Sequence, residues 1–454
     1  MKKLTMATGL LTATALTVAL AGCSGGSGDA GDGKTIRVAY QTTATFNQMQ
    51  TLMENAKKEY EAAHEGMTVE LVPIQAEGAD YYTKLALMNK SASTAPDVQY
   101  EDTFKIQSDA AAGYLLPLDD YLAKWDDWSQ FADGAKQAGL GPDGKTYGVS
   151  LGTDTRGLWY NKEIFAKAGI SVPWQPKTWD DVLAAAKTIK DKKPDLIPFN
   201  IYSGKAQGEA STMQGFEMLL YGADGSGNTL YKDKKWVTGS EQFVDSLQFV
   251  KDVYQGGLGP TPQQALDTNV GTTIAQTWLP KGKLAIDLDG SWQSGTWLKS
   301  GTAPWAEWND VMGQAPMPTQ NGQDPGYNSM SGGWTLAVGA KSKNPQAAFD
   351  FITSFLDKDG SLKYDTENSQ IAVRKDVADD TAYTDANPTF KFFSGLVENT
   401  NFRPATSDYS QVSNAIQVAM EAVMTGQQTP KQAAAAYDKA VTQVVGKENT
   451  VSAG

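Results

Sequence analysis

Ile36, Val38 and Tyr40 alternate with polar neighbours, the spacing of a half-buried strand. A polar loop, Gln41 to Asn47, separates them from a helical pattern with Met49, Leu52, Met53, Ala56 and Tyr60 on one face. The strand pattern returns over Val69 to Ile74, a helical one over Tyr81 to Asn89, and Pro96-Asp97-Val98 opens a third strand. Strand, helix, strand, helix at this spacing predicts a parallel sheet wound in βαβ units. Ligands of such sheets sit beyond the carboxyl ends of the strands. That rule singles out the loop Thr42 to Asn47, and Tyr100, Glu101 and Asp102.

Farther on, Tyr147, Val149 and Leu151 read as a buried strand, and Leu158-Trp159-Tyr160 as a second short run after the polar Thr153-Asp154-Thr155-Arg156. A helix over Lys162 to Ala168 is predicted to stop at Gly169 in a left-handed cap. Thr178, with Asp181 three residues on, has the chemistry of a helix N-cap. Trp159, Tyr160 and Trp179, each taken alone, read equally well as core aromatics. A helix is expected from Met213 to Tyr221. The glycine-bearing Gly222 to Gly227 follows that helix and lacks a phosphate-loop lysine, so it reads as a turn. Ser240 caps a helix carrying Phe243, Leu247, Val250 and Tyr254, and Asn344-Pro345 starts one carrying Phe349, Ile352 and Phe355. Phe390 to Gly454 reads as largely helical, with Val412, Ile416, Ala419 and Val423 buried and Thr429-Pro430 opening the last helix.

A chain of 454 residues is too long for one core, so two lobes are expected. The formal charge is −13, and about −15 without the first 22 residues, which argues against nucleic acid as a partner. One Cys (Cys23) and one His (His64) rule out an intramolecular disulfide, zinc sites of the usual composition and every His-based triad. His64 reads as a solvated helix-end residue. The adjacent pairs Asp119-Asp120 and Asp126-Asp127 point their side chains apart and read as solvated faces.

Lys2-Lys3, the apolar run Leu4 to Leu20 and the small residues after it have the layout of a secretory signal over residues 1–22. Leu20-Ala21-Gly22-Cys23 resembles a bacterial lipobox, which implies that Cys23 becomes a lipidated N-terminus. Ser24 to Gly33 is Gly/Ser-rich and reads as a flexible tether, residues 23–33 with the cysteine.

Four stretches together resemble the extracellular sugar-binding proteins of bacterial ABC importers, the maltose-binding-protein-like group. They are YGV…WYNK…F…AG…TWDD from Tyr147, PDV with AAGYLLPLDDYL from Pro96, KGKLAIDLDGSW from Lys281, and YNSMSGGWTLAVGA from Tyr327. The resemblance implies an α/β fold of two lobes, periplasmic-binding-protein-like, each lobe a mostly parallel sheet flanked by helices, with hinge crossings between them. Lobe 1 would comprise residues 34–152 and 325–380, and lobe 2 residues 153–324 and 381–454. The expected ligand-binding residues are Asn47, Tyr100, Glu101, Asp102, Asp154, Arg156, Gln214, Trp292, Trp334, Asp408 and Tyr409. Of the tryptophans near the third stretch, Trp292 is the expected sugar contact, while Trp297, Trp305 and Trp308 read as packing. Gly332-Gly333 would let backbone approach closely.

A sugar ring has an apolar face that a flat aromatic covers and a rim of hydroxyls that carboxylates, amides and guanidinium groups pair with. By the resemblance the protein would be a lipid-anchored monomer on the outer face of the cell membrane. It would close on an oligosaccharide by hinge motion and hand it to ABC permease subunits. No catalytic residue, metal or cofactor is called for. Two other classes share these features: a surface glycoside hydrolase, which needs two carboxylates facing across a cleft, and a carbohydrate-adhesion lipoprotein with an exposed platform.

Overall fold

The computed structural model describes residues 33–43, 47–76 and 78–453. The signal-like segment, Cys23 and all of the tether but Gly33 lie outside the described residues.

Two mixed sheets form the body. The first orders its strands Thr68–Gln75, Thr35–Thr42, Val98–Asp102, Trp334–Val338, Gly148–Ser150. Its first three strands are parallel, as the βαβ spacing predicts, and Trp334–Val338 alone is reversed, antiparallel to both its neighbours. The second sheet orders Met312–Ala315, Arg156–Asn161, Leu284–Gly290, Ile197–Asn200, with only the last pair parallel. Beside them, Tyr327–Ser331 pairs antiparallel with Met317–Pro318 and parallel with Thr400–Phe402.

Each sheet has its own core. In the first, Ile36, Val38, Val98, Leu336 and Val338 meet the apolar face of the helix Gln48–Ala63 and that of Pro345–Phe355. In the second, strand alternation decides the partners of Arg156–Asn161. Trp159 faces one way, into an edge-to-face cluster with Trp297 and Trp308 that Trp305 extends. Leu158 and Tyr160 face the other way, against Phe165, Trp174 and Trp179. Burying each such side chain stabilises the fold by roughly 1.5–3 kcal/mol. Trp297, Trp305 and Trp308 thus pack against one another and against Trp159.

The local signals hold at their residues. Gly169 takes φ +72° after the helix Lys162–Lys167. Thr178 and Asp181 form a reciprocal capping box, and so do Thr429 and Gln432. Ser240 and Asn344 accept from the first turns of their helices. His64 closes its helix and stacks on Tyr60. Asp119 and Asp120 are exposed, whereas Asp127 reaches the buried guanidinium of Arg374 at 3.0 Å. One expected helix differs: Ala210–Glu217 is π-helical, with an α-helical turn only at Met218–Leu220. Such segments recur at functional sites, and this one supplies Ala210, Met213 and Gln214 to the cavity described below.

Three connections pass between the sheets, and side chains and backbone tie them together. The first runs from Ser150 to Arg156. The second re-enters the first sheet at Trp334, beyond the expected boundary at 325, because Tyr327–Ser331 still pairs beside the second sheet. Thr153 joins both to the third: its hydroxyl donates to Gly332 O at 2.9 Å, and it exchanges backbone bonds with Ile371. Gly333 is required here, because its φ is +135° and a Cβ would lie 2.5 Å from Gly152 O.

Candidate functional site

A cavity of about 280 Å³ lies where these connections meet the strand ends, walled from both sheets. Seven of the expected residues line it: Tyr100, Asp102, Asp154, Arg156, Gln214, Trp292 and Trp334. Tyr409 stands directly behind, its hydroxyl donating to Glu209 at 3.0 Å. Asn47 and Asp408 do not line the cavity; they precede the helices Gln48–Ala63 and Tyr409–Met424. Glu101 is buried beside Asp102, but strand alternation turns it to the opposite face. Burial and the nearby Asp109 carboxylate hold its carboxyl well above the usual range.

The charged groups of the cavity are paired before any ligand arrives. Arg156 bonds Asp154 and donates to Met330 O at 3.2 Å. Asp154 also accepts from Gly332 N at 2.8 Å, so one carboxylate fixes both the arginine and the second connection. Arg403 donates to Asp102 at 2.6 Å from one sheet and to Glu209 at 3.4 Å from the other side. Its guanidinium lies 4.5 Å from the Phe104 ring centre. Glu209 is held in turn by Tyr409 and Ser413. Three carboxylates against two guanidiniums leave a slight negative excess.

The aromatic faces are also engaged. Trp334 stacks on Tyr100 with ring centres 4.3 Å apart and planes 1° from parallel. The Arg156 guanidinium covers the Trp292 ring at 4.6 Å. Trp292 and Trp334 are each half-buried, so part of each indole still fronts the cavity.

Below the cavity sit carboxyl groups with raised pKa. Glu217 is pushed up to about 8 by burial and by the Glu209 charge, against the pull of Arg403. Asp289, one strand from Arg156, is raised to about 6 by burial, while Gly290 N–H and the Tyr202 hydroxyl hold it down.

Sequence reasoning missed Gln41, Glu209, Tyr364, Asn368, Gln370 and Arg403 as cavity residues. Gln41 immediately precedes the loop singled out by the strand-end rule, and Asn368 and Gln370 lay in a segment assigned to lobe 1. Glu209 and Arg403 come from irregular chain far apart in sequence, where periodicity carries no signal.

The bacterial extracellular solute-binding protein family matches residues 43–361. The chain belongs to that family. A binding protein of Brucella abortus is 25% identical over 405 residues, 85% of this chain and 88% of its own. The galactooligosaccharide-binding protein of Bacillus subtilis is 23% identical over 353 residues, 76% of each chain. Among solved structures, the GacH receptor of Streptomyces glaucescens GLA.O superposes with a TM-score of 0.75 at 24% identity, covering 91% of this chain and 98% of its own. The two-lobe fold of this solute-binding protein is thereby that of its structural neighbours. Solute-binding proteins enclose their ligand by hinge closure, and the cavity lies where such closure would bring two walls together.

Proposed function

We propose that this chain is the substrate-binding component of an ABC importer, taking an uncharged oligosaccharide into the cavity between its lobes. Lobe 1 then comprises 34–152 with the return from Trp334 to about 380, and lobe 2 residues 153–333 and about 381–454. The observation that carries the reading is the composition of the cavity walls. The cavity walls contribute two indoles, three phenols and four side-chain amides, while both arginines are already neutralised by carboxylates. Such a lining suits a hydroxyl-rich neutral ring and, among the described residues, offers no free cation to a phosphate or uronate. The Bacillus relative's name points the same way, as does the acarbose complex of the GacH receptor. About 280 Å³ lies at the lower end of ligand pockets, roughly 300–1,000 Å³, which favours short saccharides.

Lipidation at Cys23 would tether the protein to the outer face of the membrane beside its permease, and the closed form would be what the permease engages. The ligand would leave unaltered. Each cavity carboxylate is held by an arginine, whereas hydrolysis needs an acid and a base or nucleophile free to face the glycosidic bond. Calorimetric titration against a panel of di- to tetrasaccharides, with glucuronate and glycerol phosphate included, tests the reading. A saturable heat with at least one neutral saccharide and none with the anions is expected. Binding of the anions alone, or release of reducing sugar, would overturn it.

A further inference from the structure

A second cavity, of about 420 Å³, shares no lining residue with the first. Its walls are the turn after Leu220, the hairpin between Met317–Pro318 and Tyr327–Ser331, and the start of Thr400–Phe402. From Tyr327 the chain runs six residues to Gly333 in the first cavity, so at about 3.3 Å per residue the two walls are at most roughly 20 Å apart there.

Its lining is unusual in what it contains. Five of thirteen residues carry side-chain amides, Asp324 is the sole charged group, and no aliphatic larger than Ala or Pro contributes. A water-filled surface crevice would leave its amides loose; here three are fixed from behind. Asn328 donates to Met218 O at 3.0 Å and accepts from Asn401 at 2.7 Å. Gln323 donates to Gly222 O at 3.0 Å and accepts from Asn321 N at 2.9 Å. Asn228 donates to Ala223 O at 3.2 Å. Preorganised donors and acceptors lose little entropy when a ligand meets them. Among the described residues no hydrogen bond engages the side chains of Asp324, Tyr327 or Asn399. The half-buried Tyr327 adds an aromatic surface.

We propose that this amide-lined cavity is a second binding site for a neutral saccharide unit, separate from the cleft. Amides offer a donor and an acceptor to vicinal hydroxyls, and the lone Asp324 carboxylate with no cation disfavours acidic sugars. The site does not depend on what the cleft binds.

Fluorotyrosine labelling of the full chain tests this, with the Tyr327 resonance assigned by Tyr327→Phe and the Tyr100 resonance reporting the cleft. Titration with maltose should shift Tyr327 saturably in the millimolar range, with a midpoint different from that of Tyr100. The shift should persist in Trp292→Ala, fall at least fivefold in apparent affinity in Asn399→Ala and in Asn401→Ala, and be absent with glucuronate. Asn399→Ala removes a side chain with no internal partner, so it keeps the test valid if Asn401→Ala fails to fold. A Tyr327 resonance unmoved by maltose, moving only in step with Tyr100, or moving equally with glucuronate would overturn the proposal. Failure of the cleft to bind any sugar would leave Tyr100 silent, a result distinct from all three.

Discussion

Arg403 Nη2 stands 2.6 Å from Asp102 Oδ1, a buried ion pair joining the segment after Thr400–Phe402 to the carboxyl end of a first-sheet strand. The same guanidinium reaches Glu209, and burial opposes its charge less than these carboxylates favour it, so its pKa is raised. Removing one member of a buried pair leaves the other charge unpaired, at a cost of about 3–5 kcal/mol. Arg403→Met should therefore lower the urea midpoint clearly and give a more expanded ligand-free protein in solution scattering. Unchanged scattering at equal stability would mean that the pair does not hold the two walls together.

Trp292 offers a separate test. Its ring is covered by Arg156, an interaction worth about 0.5–2 kcal/mol. A sugar can use the part of the indole that fronts the cavity or displace the guanidinium from its face. In either case Trp292→Ala should weaken saccharide binding at least tenfold, about 1.4 kcal/mol, while the half-buried position keeps the stability loss small. Calorimetry with the tightest neutral saccharide of the panel measures the first quantity and thermal melting the second. Affinity within twofold of the parent would remove Trp292 from the site.

Asp154 should behave differently, because it serves structure and site together. It neutralises Arg156 and accepts from Gly332 N–H, so it stands between two connections of the fold. Asp154→Ala leaves a buried guanidinium unpaired and a backbone donor unsatisfied. The expected outcome is a fall in both melting temperature and affinity. Asp154→Asn, which still accepts from Gly332 N–H, should recover part of the stability and less of the binding. Equal recovery of both would show that the charge on Asp154 is not needed at the site.

These contrasts show what the sequence could reveal. Periodicity located the strands at Ile36, Val69 and Val98, and cap chemistry placed helix starts at Thr178, Ser240 and Thr429, since both signals are local. Motif resemblance found Asp154, Arg156, Trp292 and Trp334, which sit beside recognisable strands and turns. Glu101 lay one residue from Asp102 in the same run, and only the pleat assigns them to opposite faces. Glu209 and Arg403 were illegible because their role is created by tertiary contact between irregular segments nearly 200 positions apart.

Glu217 makes the stability of the protein depend on pH. Its folded pKa of about 8 lies above its ordinary value of 4.5, because burial and the Glu209 charge outweigh Arg403 and the hydrogen bond from Tyr409. Between those values the folded chain holds a proton that the unfolded chain has released, so stability falls as pH rises. The contribution is full below about 4.5 and lost once pH passes about 8. Asp289, raised to about 6, adds a slope of the same sign that ends lower, and burial likewise raises Glu101, Asp287 and Asp365, so only the difference between parent and a Glu217 variant isolates this residue. Glu217→Gln stays neutral throughout and should lose less stability than the parent between about pH 6 and 8 while matching it near pH 5.5. Urea midpoints at about pH 5.5, 7 and 8.5 for both proteins make the comparison, and a parent whose midpoint rises from pH 6 to 8 relative to the variant would reverse the assignment.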